Sequence, residues 1–470
     1  MPIRFLLPVS LVVLVVVAAF GQSRRSGEVP ASNEPLPSVL FITVDTLRAD
    51  HLSSWGYHLK TSPNIDKLAA EGVRYAHAYT VTSRTAPSHF SMFTSRYPQE
   101  HGAKLNGFAV PEDTKFLFLP QILQKYGYAN AAFVSAWPLT KRLTRMDRFF
   151  DVYDEDLNRS YQMINSMRYA EDVAPRAISW MEEHREKPFF LWVHFFDPHS
   201  PYDLRTDFEP TEKTGKPDRT AERGQETLPE TVRGYNSEIF YTDHWVGEVV
   251  AAVDRLGLTD KTLVVLSADH GESLGEKSYQ GHSRRLWESI VHVPLIFRWP
   301  GSIPAGQTVE TKVTTLDLTP TIVDLTVRRK DPTAKIPTEF AGRSLARNLT
   351  AGEAIPDRNV RFVAFAGQKW VMPKWFSKLW LRDLDFPLKT GYRAGNRKVI
   401  WTPEEETLEV FDLAKDPYEN HPMVSDDGRA YDRETDELAK WFKATHLAAD
   451  GDNRMTERDR EALESLGYLQ

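Results

Sequence analysis

Apolar and polar positions fall in blocks along this chain. Ser38 to Val44 reads SVLFITV, an uncharged run of β-branched and aromatic residues that stops at Asp45. Runs of the same kind recur at Ala131 to Ser135, Phe189 to Phe196, Thr262 to Ser267 and Val293 to Arg298. Continuous apolar runs of this length predict strands buried on both faces. Between them, Asn64 to Gly72, Phe116 to Tyr126, Met167 to His184 and Tyr235 to Leu256 predict helices. The alternation predicts an α/β fold, a large mostly parallel (mixed) sheet sandwiched by helices, with ligands beyond the strand ends.

Two polar stretches interrupt the rhythm, 205–234 and 328–343, and both read as surface loops, the first a candidate lid. Past about residue 355 the apolar pieces shorten, at Val360 to Phe365, Lys398 to Trp401 and Leu408 to Leu413, which predicts a smaller antiparallel sheet. Helices are expected near Glu434 to His446 and Glu457 to Leu466. Lys369 to Arg382 interleaves Trp370, Trp375 and Trp380 with Lys and Arg. A packing strand with a loop is the first reading of that segment, a glycan or lipid-headgroup platform the second.

At the N-terminus Arg4 precedes an apolar run from Phe5 to Phe20, and the small residues Ala19 and Gly21 follow. That is the layout of a signal peptide, over residues 1–22, with export to the periplasm or secretion. The run is slightly short of the ~17 residues that cross a bilayer, so an N-terminal membrane anchor is the second reading. A polar linker over 23–37, a main α/β domain over 38–354 and a C-terminal subdomain over 355–470 complete the expected organisation.

Composition narrows the chemistry. The 58 basic and 65 acidic side chains give 58 − 65 = −7, and there is no long Lys/Arg run, which argues against nucleic acid as a partner. The sequence has no cysteine, which excludes disulfides, thiolate metal sites and a cysteine nucleophile. Asp45 directly follows one buried strand, and Asp269 and His270 directly follow another. Two carboxylates and an imidazole suit one divalent cation, and both strands are expected to open on the same sheet edge. A third place is Thr85-Ala-Pro-Ser-His89, where Pro87 suits a first helical turn and Thr85 is expected at or just before the N-cap. A hydroxyl there, beside a cation, can become a nucleophile. Asp66 reads as a helix-start acid and Asp50 as a loop brace.

Taken in order, Asp45 after its strand, Ser62-Pro-Asn-Ile-Asp66, Thr85-Ala-Pro-Ser-His89 with Thr94-Ser-Arg-Tyr-Pro98 and His101-Gly102, Ala268-Asp-His-Gly-Glu-Ser-Leu-Gly-Glu276 with Gly281-His282, and Val410-Phe-Asp-Leu-Ala-Lys-Asp416 resemble the sulfatase family of the alkaline phosphatase superfamily. The resemblance implies an alkaline-phosphatase-like fold and an ester hydrolase. Sulfatases of this family carry Cys or Ser followed by x-Pro-x-Arg and convert the first residue to formylglycine. Here the position holds Thr85, with His89 in the place of the arginine, so no formylglycine is expected. The family's Lys-x-His pair is replaced by Ser135-Ala-Trp137. Related phosphodiesterases and phosphoalcohol transferases use a metal-bound threonine directly.

The resemblance therefore implies one divalent cation (Ca, Mn or Zn) held by Asp45, Asp269, His270 and Thr85, with Thr85 as nucleophile. His282 and His199 would contact the ester oxygens and protonate the leaving group, and Asn106, Arg84 and His89 would line the substrate pocket. A second cation would draw on Asp197, His199 and His282. The expected activity is hydrolysis of phosphate mono- or diesters, preferred over sulfate esters, on a small-molecule, glycan or lipid-headgroup substrate. The alternatives are a true sulfuric ester hydrolase, a phosphoalcohol transferase and a silent binding protein.

Overall fold

The computed structural model describes residues 35–456 apart from 162–163, 225–228, 337–338, 366–387, 424–431 and 446–450. The expected signal peptide, the Trp-rich segment at 369–382 and the last helix near 457–466 lie outside the described residues. Among the described residues, no helix is long and apolar enough to cross a membrane.

The predicted apolar runs form the centre of an eight-stranded sheet. Its strands are β1 (Ser38–Val44), β2 (Val73–Tyr75), β3 (Ala129–Phe133), β4 (Val152–Asp154), β5 (Phe189–Phe195), β6 (Thr262–Ala268), β7 (Leu295–Arg298) and β8 (Gln307–Val309), in the order β8-β2-β7-β6-β1-β5-β3-β4. Only β7 runs against its neighbours; the other pairings are parallel. Every residue of β1, β5 and β6 is buried, as continuous apolar runs require when both faces are covered.

Side-chain alternation divides these strands between two cores. Val39, Phe41, Phe190, Trp192, Leu263 and Val265 face helices α1 (Thr85–Thr94) and α2 (Leu318–Leu325), as the shared core of Phe90, Phe93, Leu318 and Ile322 shows. Leu40, Ile42, Leu191, Val193, Val264 and Leu266 face the opposite layer, which includes α3 (Ala170–Glu183) and α4 (Pro229–Arg255). These are the helix-covered faces of a sandwich.

The 205–234 stretch is irregular and mostly exposed over 205–224, as expected of a surface loop, and departs from expectation at its end. α4 begins at Pro229, because Val232 and Gly234 are buried and Gly234 packs on Tyr202, where a Cβ would approach Tyr202 Cβ to 3.0 Å. The preceding segment is stitched to the body by Lys60 N–H to Glu212 O at 2.8 Å and Thr214 N–H to His58 O at 2.9 Å, so it is a fastened strap.

A separate four-stranded antiparallel sheet follows, formed by β9 (Val360–Ala364), β10 (Lys389–Ala394), β11 (Arg397–Thr402) and β12 (Thr407–Asp412), with α5 (Asp432–Ala444) beside it. Strand β10, KTGYRA, lacks the apolar signal of its neighbours and was not foreseen by the pattern. The small sheet docks through Phe362, Ile400 and Phe411 onto Tyr79, Trp287 and Ile290 of the main body.

Candidate active site

The parallel register assembles the site. Val44 of β1 pairs with Ala268 of β6 and with Phe195 of β5, so Asp45 and Asp269, the next residues of their chains, emerge side by side at the carboxyl edge of the sheet. The chain turns sharply there. Thr46 has φ of 54°, a left-handed conformation that a β-branched residue adopts only when its surroundings hold it. Tyr235 of α4 does the holding, its hydroxyl donating to Thr46 O at 2.6 Å and accepting Arg48 N–H at 3.0 Å. Gly271 is required on the other loop, because a Cβ would sit 2.1 Å from Ser289 O. Arg48 ties the two loops together through Asp50, Glu276 and the carbonyl of Glu272.

Asp45, Asp269 and His270 are fully buried, and one ligand atom from each lies within 4.8 Å of the others. Neither oxygen of Asp45 receives a hydrogen bond, nor does Oδ2 of Asp269. Asp269 Oδ1 accepts Thr46 N–H at 3.3 Å and His270 N–H at 2.8 Å. Burial drives the Asp45 carboxyl well above its ordinary range, Asp269 and Glu272 adding to the rise, and pushes Asp269 up to about 6. Burial holds the His270 imidazole well below its ordinary value. The His270 Nδ1–H donates to Gly271 O at 3.0 Å, so the lone pair is on Nε2, 3.4 Å from Asp269 Oδ2 and 3.9 Å from Asp45 Oδ1. Three carboxylate oxygens that no donor meets, with an imidazole lone pair beside them, fit a divalent cation.

Thr85 is the first residue of α1, with Arg84 at the N-cap, one place later than the sequence suggested. The capping duty is met from outside, where Asn106 Oδ1 accepts Ala86 N–H at 2.9 Å. Thr85 Oγ1 is thus spared that role and lies 3.4 Å from His270 Nε2. His89, one turn on, has a ring nitrogen within 4.8 Å of ligand atoms of His194 and Asp269. Its Nδ1–H donates to Thr85 O at 2.8 Å and its Nε2 accepts from the Thr43 hydroxyl at 3.1 Å, which fixes the start of α1 against the sheet. Arg84 is buried, and burial brings its guanidinium down to about 10, with Tyr279 raising it and Arg284 lowering it.

The other expected residues divide. His282 stacks on His270 with ring centres 4.3 Å apart, and His199 meets His282 edge-on at 5.2 Å. Burial brings both imidazoles down to about 3. Asp197 is turned away, both of its oxygens accepting Ala170 N–H at the start of α3. Asp50 braces Arg48 and lies 3.6 Å from Arg223, and Asp66 accepts from Ser54 N–H and the Ser62 hydroxyl.

Two residues were missed. His194, the sixth residue of β5, places Nε2 3.7 Å from Asp45 Oδ2. The Ser135 hydroxyl donates to His194 O and accepts its Nδ1–H at 3.1 Å, which leaves the Nε2 lone pair toward Asp45. A lone histidine in an apolar strand beside the Asp45 strand was the available signal. Glu272, fully buried and raised by burial to about 7, holds His282 Nδ1 at 3.0 Å.

The chain matches the family model described as Sulfatase over residues 37–327, more than half its length. It belongs to the sulfatase family. Among its relatives, an ulvan-active sulfatase of Formosa agariphila is 25% identical over 399 residues, covering 78% of this chain and 76% of that one. An N-acetylglucosamine-6-O-sulfatase of Bacteroides thetaiotaomicron is 23% identical over 400 residues, covering 66% and 70%. The fold is also that of the phosphonate monoester hydrolase of Agrobacterium radiobacter, with a TM-score of 0.66 at 20% identity over 87% of this chain and 96% of that one. This sulfatase-family chain is therefore an ester hydrolase of the alkaline phosphatase superfamily.

Proposed function

We propose that the protein hydrolyses phosphate esters, mono- or diesters, with Thr85 as nucleophile, in the periplasm or outside the cell. The observation that carries the reading is Thr85 Oγ1, released from capping and 3.4 Å from His270 Nε2, beside carboxylate oxygens that no donor meets. A divalent cation held by Asp45, Asp269 and His270 would acidify a hydroxyl and offset charge on an ester oxygen. Asn106 and His89 hold the first turn of α1 so that Thr85 presents its oxygen to the pocket. Arg84, buried at the same helix start, supplies positive charge for a tetrahedral anion, and the helix dipole has the same sign there. Attack forms a bond from Thr85 Oγ1 to phosphorus and breaks the bond to the alcohol oxygen, and the proton that the Thr85 hydroxyl gives up balances the one with which the alcohol leaves. Water then cleaves the threonyl ester and releases phosphate, or the remaining monoester when the substrate is a diester. His282, stacked on His270, and His199 beside it would meet the leaving oxygen.

Sulfate-ester hydrolysis is the second reading, favoured by the relatives whose names are sulfatases. A threonine side chain bears a methyl group on Cβ and cannot become the formylglycine aldehyde, so sulfate would have to be released from a threonyl sulfate by water.

The test is turnover of aryl phosphate, aryl phosphodiester and aryl sulfate by the metal-loaded protein and by the chelated one. Phosphate esters are expected to turn over faster, and Thr85→Ala to lower kcat by on the order of 10⁴-fold with cation content unchanged. Faster sulfate turnover sinks the substrate assignment, and undiminished activity of Thr85→Ala removes the nucleophile.

A further inference from the structure

A cavity of about 430 Å³ lies where the strap, the loop after β1 and the small sheet meet. Asp45, Thr85, Asp269 and His270 do not line it. We propose that this cavity binds a small molecule bearing an oxyanion, a carboxylate, phosphate or sulfate group, independently of the ester chemistry at the sheet edge.

Charge on the cavity wall is uneven. Six basic and four acidic residues line it, and every acid is already answered. Arg48 meets Asp50 at 2.9 Å and Glu276 at 2.6 Å. Arg393 and Lys398 each meet Glu288 at 2.9 Å, and Lys398 meets Glu419 at 2.8 Å. Two further bases rest on aromatic rings instead of carboxylates. Lys277 Nζ lies 4.2 Å from the centre of the Trp287 ring and 5.4 Å from that of Phe411, and it forms no ion pair among the described residues. Arg223, buried at the end of the strap, lies 5.2 Å from the Tyr418 ring and 5.7 Å from the Tyr57 ring, and it approaches Asp50 Oδ2 only to 3.6 Å. A ring face steadies a cation without cancelling its charge, so these two remain able to attract an anion. Lys216 and Arg219, exposed on the strap, add positive charge at the rim, with Glu222 3.6 Å from Arg219.

Hydrogen bonding selects the same class of ligand. Arg223 Nε–H and the indole N–H of Trp55, both on the wall, are buried and meet no acceptor. Each can only donate, so the group that completes them must accept. The other Arg223 nitrogens reach Asp50 O at 3.3 Å and His51 Nε2 at 3.4 Å, which fixes the plane of the guanidinium. Lys277 is fixed through its backbone, whose φ of 55° is left-handed, a strained conformation for a lysine and one that a fold keeps where the side chain has work to do. The cavity is larger than a bare ion needs and has the size of a small-molecule site, so the oxyanion is expected to be carried on a larger body.

The test titrates the full chain, as purified, with glucuronate, glucose, inorganic phosphate and inorganic sulfate. Calorimetry reads affinity, and hydrogen–deuterium exchange reads location. Glucuronate is expected to bind, to protect 213–223 and 413–419, and to outbind uncharged glucose. Arg223→Gln and Lys277→Asn, in which asparagine tolerates the left-handed backbone, should each weaken glucuronate about tenfold with cation content unchanged, the size of one lost charge-assisted hydrogen bond. Phosphate or sulfate protecting those two segments where glucuronate does not supports the site with a free ion as its occupant. Equal affinity for glucose and glucuronate overturns the proposal, as does protection confined to 84–94 at the catalytic helix, or binding undiminished in both variants. Exchange on the unaltered chain decides even where a variant fails to fold, since no protection of 213–223 and 413–419 by any of the three anions overturns the site.

Discussion

Half-buried Glu288 and buried Glu419, under the small sheet, and buried Asp45 and Asp269, at the edge of the large one, are acids in very different company. Lys398, wholly buried, reaches Glu288 at 2.9 Å and Glu419 at 2.8 Å, and Arg393 reaches Glu288 at 2.9 Å. Glu419 also accepts Glu288 N–H at 2.6 Å. At the sheet edge Asp45 receives no hydrogen bond and its neighbours are a second carboxylate and two imidazole lone pairs. Counter-charges supplied to one pair of acids make a docking clasp, and their absence from the other leaves a donor set that fits a cation. The difference, more than the presence of acids, marks the site.

The sharpest way to break that contrast is to neutralise the seat. Asp45→Asn should abolish tight binding of the first cation and reduce turnover to background, while raising the melting temperature of the metal-free protein. Removing an unmet buried carboxylate relieves a cost that only the cation offsets. The pH response carries the same sign. Asp45 and Asp269 titrate higher in the metal-free fold than in the unfolded chain, Asp269 at about 6 against an ordinary 3.8. Over that window the folded chain retains protons that the unfolded one has lost, so metal-free stability should fall as pH rises from about 4 to 6. Calorimetric unfolding at stepped pH checks it, and Asp45→Asn should flatten the slope. With the cation bound the order should reverse, since protons compete with it for the same oxygens.

Breaking the clasp should cost folding instead of chemistry. Lys398→Met leaves Glu419 buried beside Glu288 without its cation, a loss of about 3–5 kcal/mol by the usual penalty for an orphaned buried charge. Urea unfolding reads that value, and turnover per folded molecule should be unchanged. Lys398→Met combined with Glu419→Gln should recover part of the loss, because the neutral amide still accepts Glu288 N–H and Arg393 still answers Glu288. Equal destabilisation of the single and double variants would mean the clasp works by shape and not by charge.

How far each cluster could be read from the sequence follows from the same contrast. Asp45 and Asp269 were legible because each directly follows a seven-residue buried run, and parallel pairing of two such runs brings their next residues together. The central strands were legible for the same reason, being buried on both faces. His194 was not, since inside an all-apolar run no period marks which face a residue takes. Glu272 was hidden differently, its role fixed by a fold-back that pairs Gln280 and Gly281 with Leu274 and Ser273 and so carries His282, the next residue, to Glu272. Lys398 and Glu419 gave no signal at all, because Lys in a short strand and Glu in a turn read as surface until the small sheet is docked. Thr85 fell one position from its expected place because Asn106, twenty residues beyond Ala86, does the capping that the Thr85 hydroxyl would otherwise do.

Ser135 offers the finest adjustment of the contrast. It occupies the position where the sulfatase resemblance calls for lysine, and its hydroxyl bridges His194 O and His194 Nδ1. A lysine there would bring positive charge toward the Asp45 cluster; serine brings none and instead sets the tautomer of a histidine that faces Asp45. Ser135→Ala should therefore loosen His194 without touching the carboxylates, at about 1 kcal/mol of stability for the lost hydrogen bond. A cation dissociation constant a few-fold weaker should accompany it, read by competition with a chromophoric chelator. If Ser135→Ala leaves cation affinity unchanged while His194→Ala weakens it, the imidazole matters and its tether does not; if neither variant moves the affinity, His194 is a bystander to the seat and the unmet lone pair beside Asp45 needs another account.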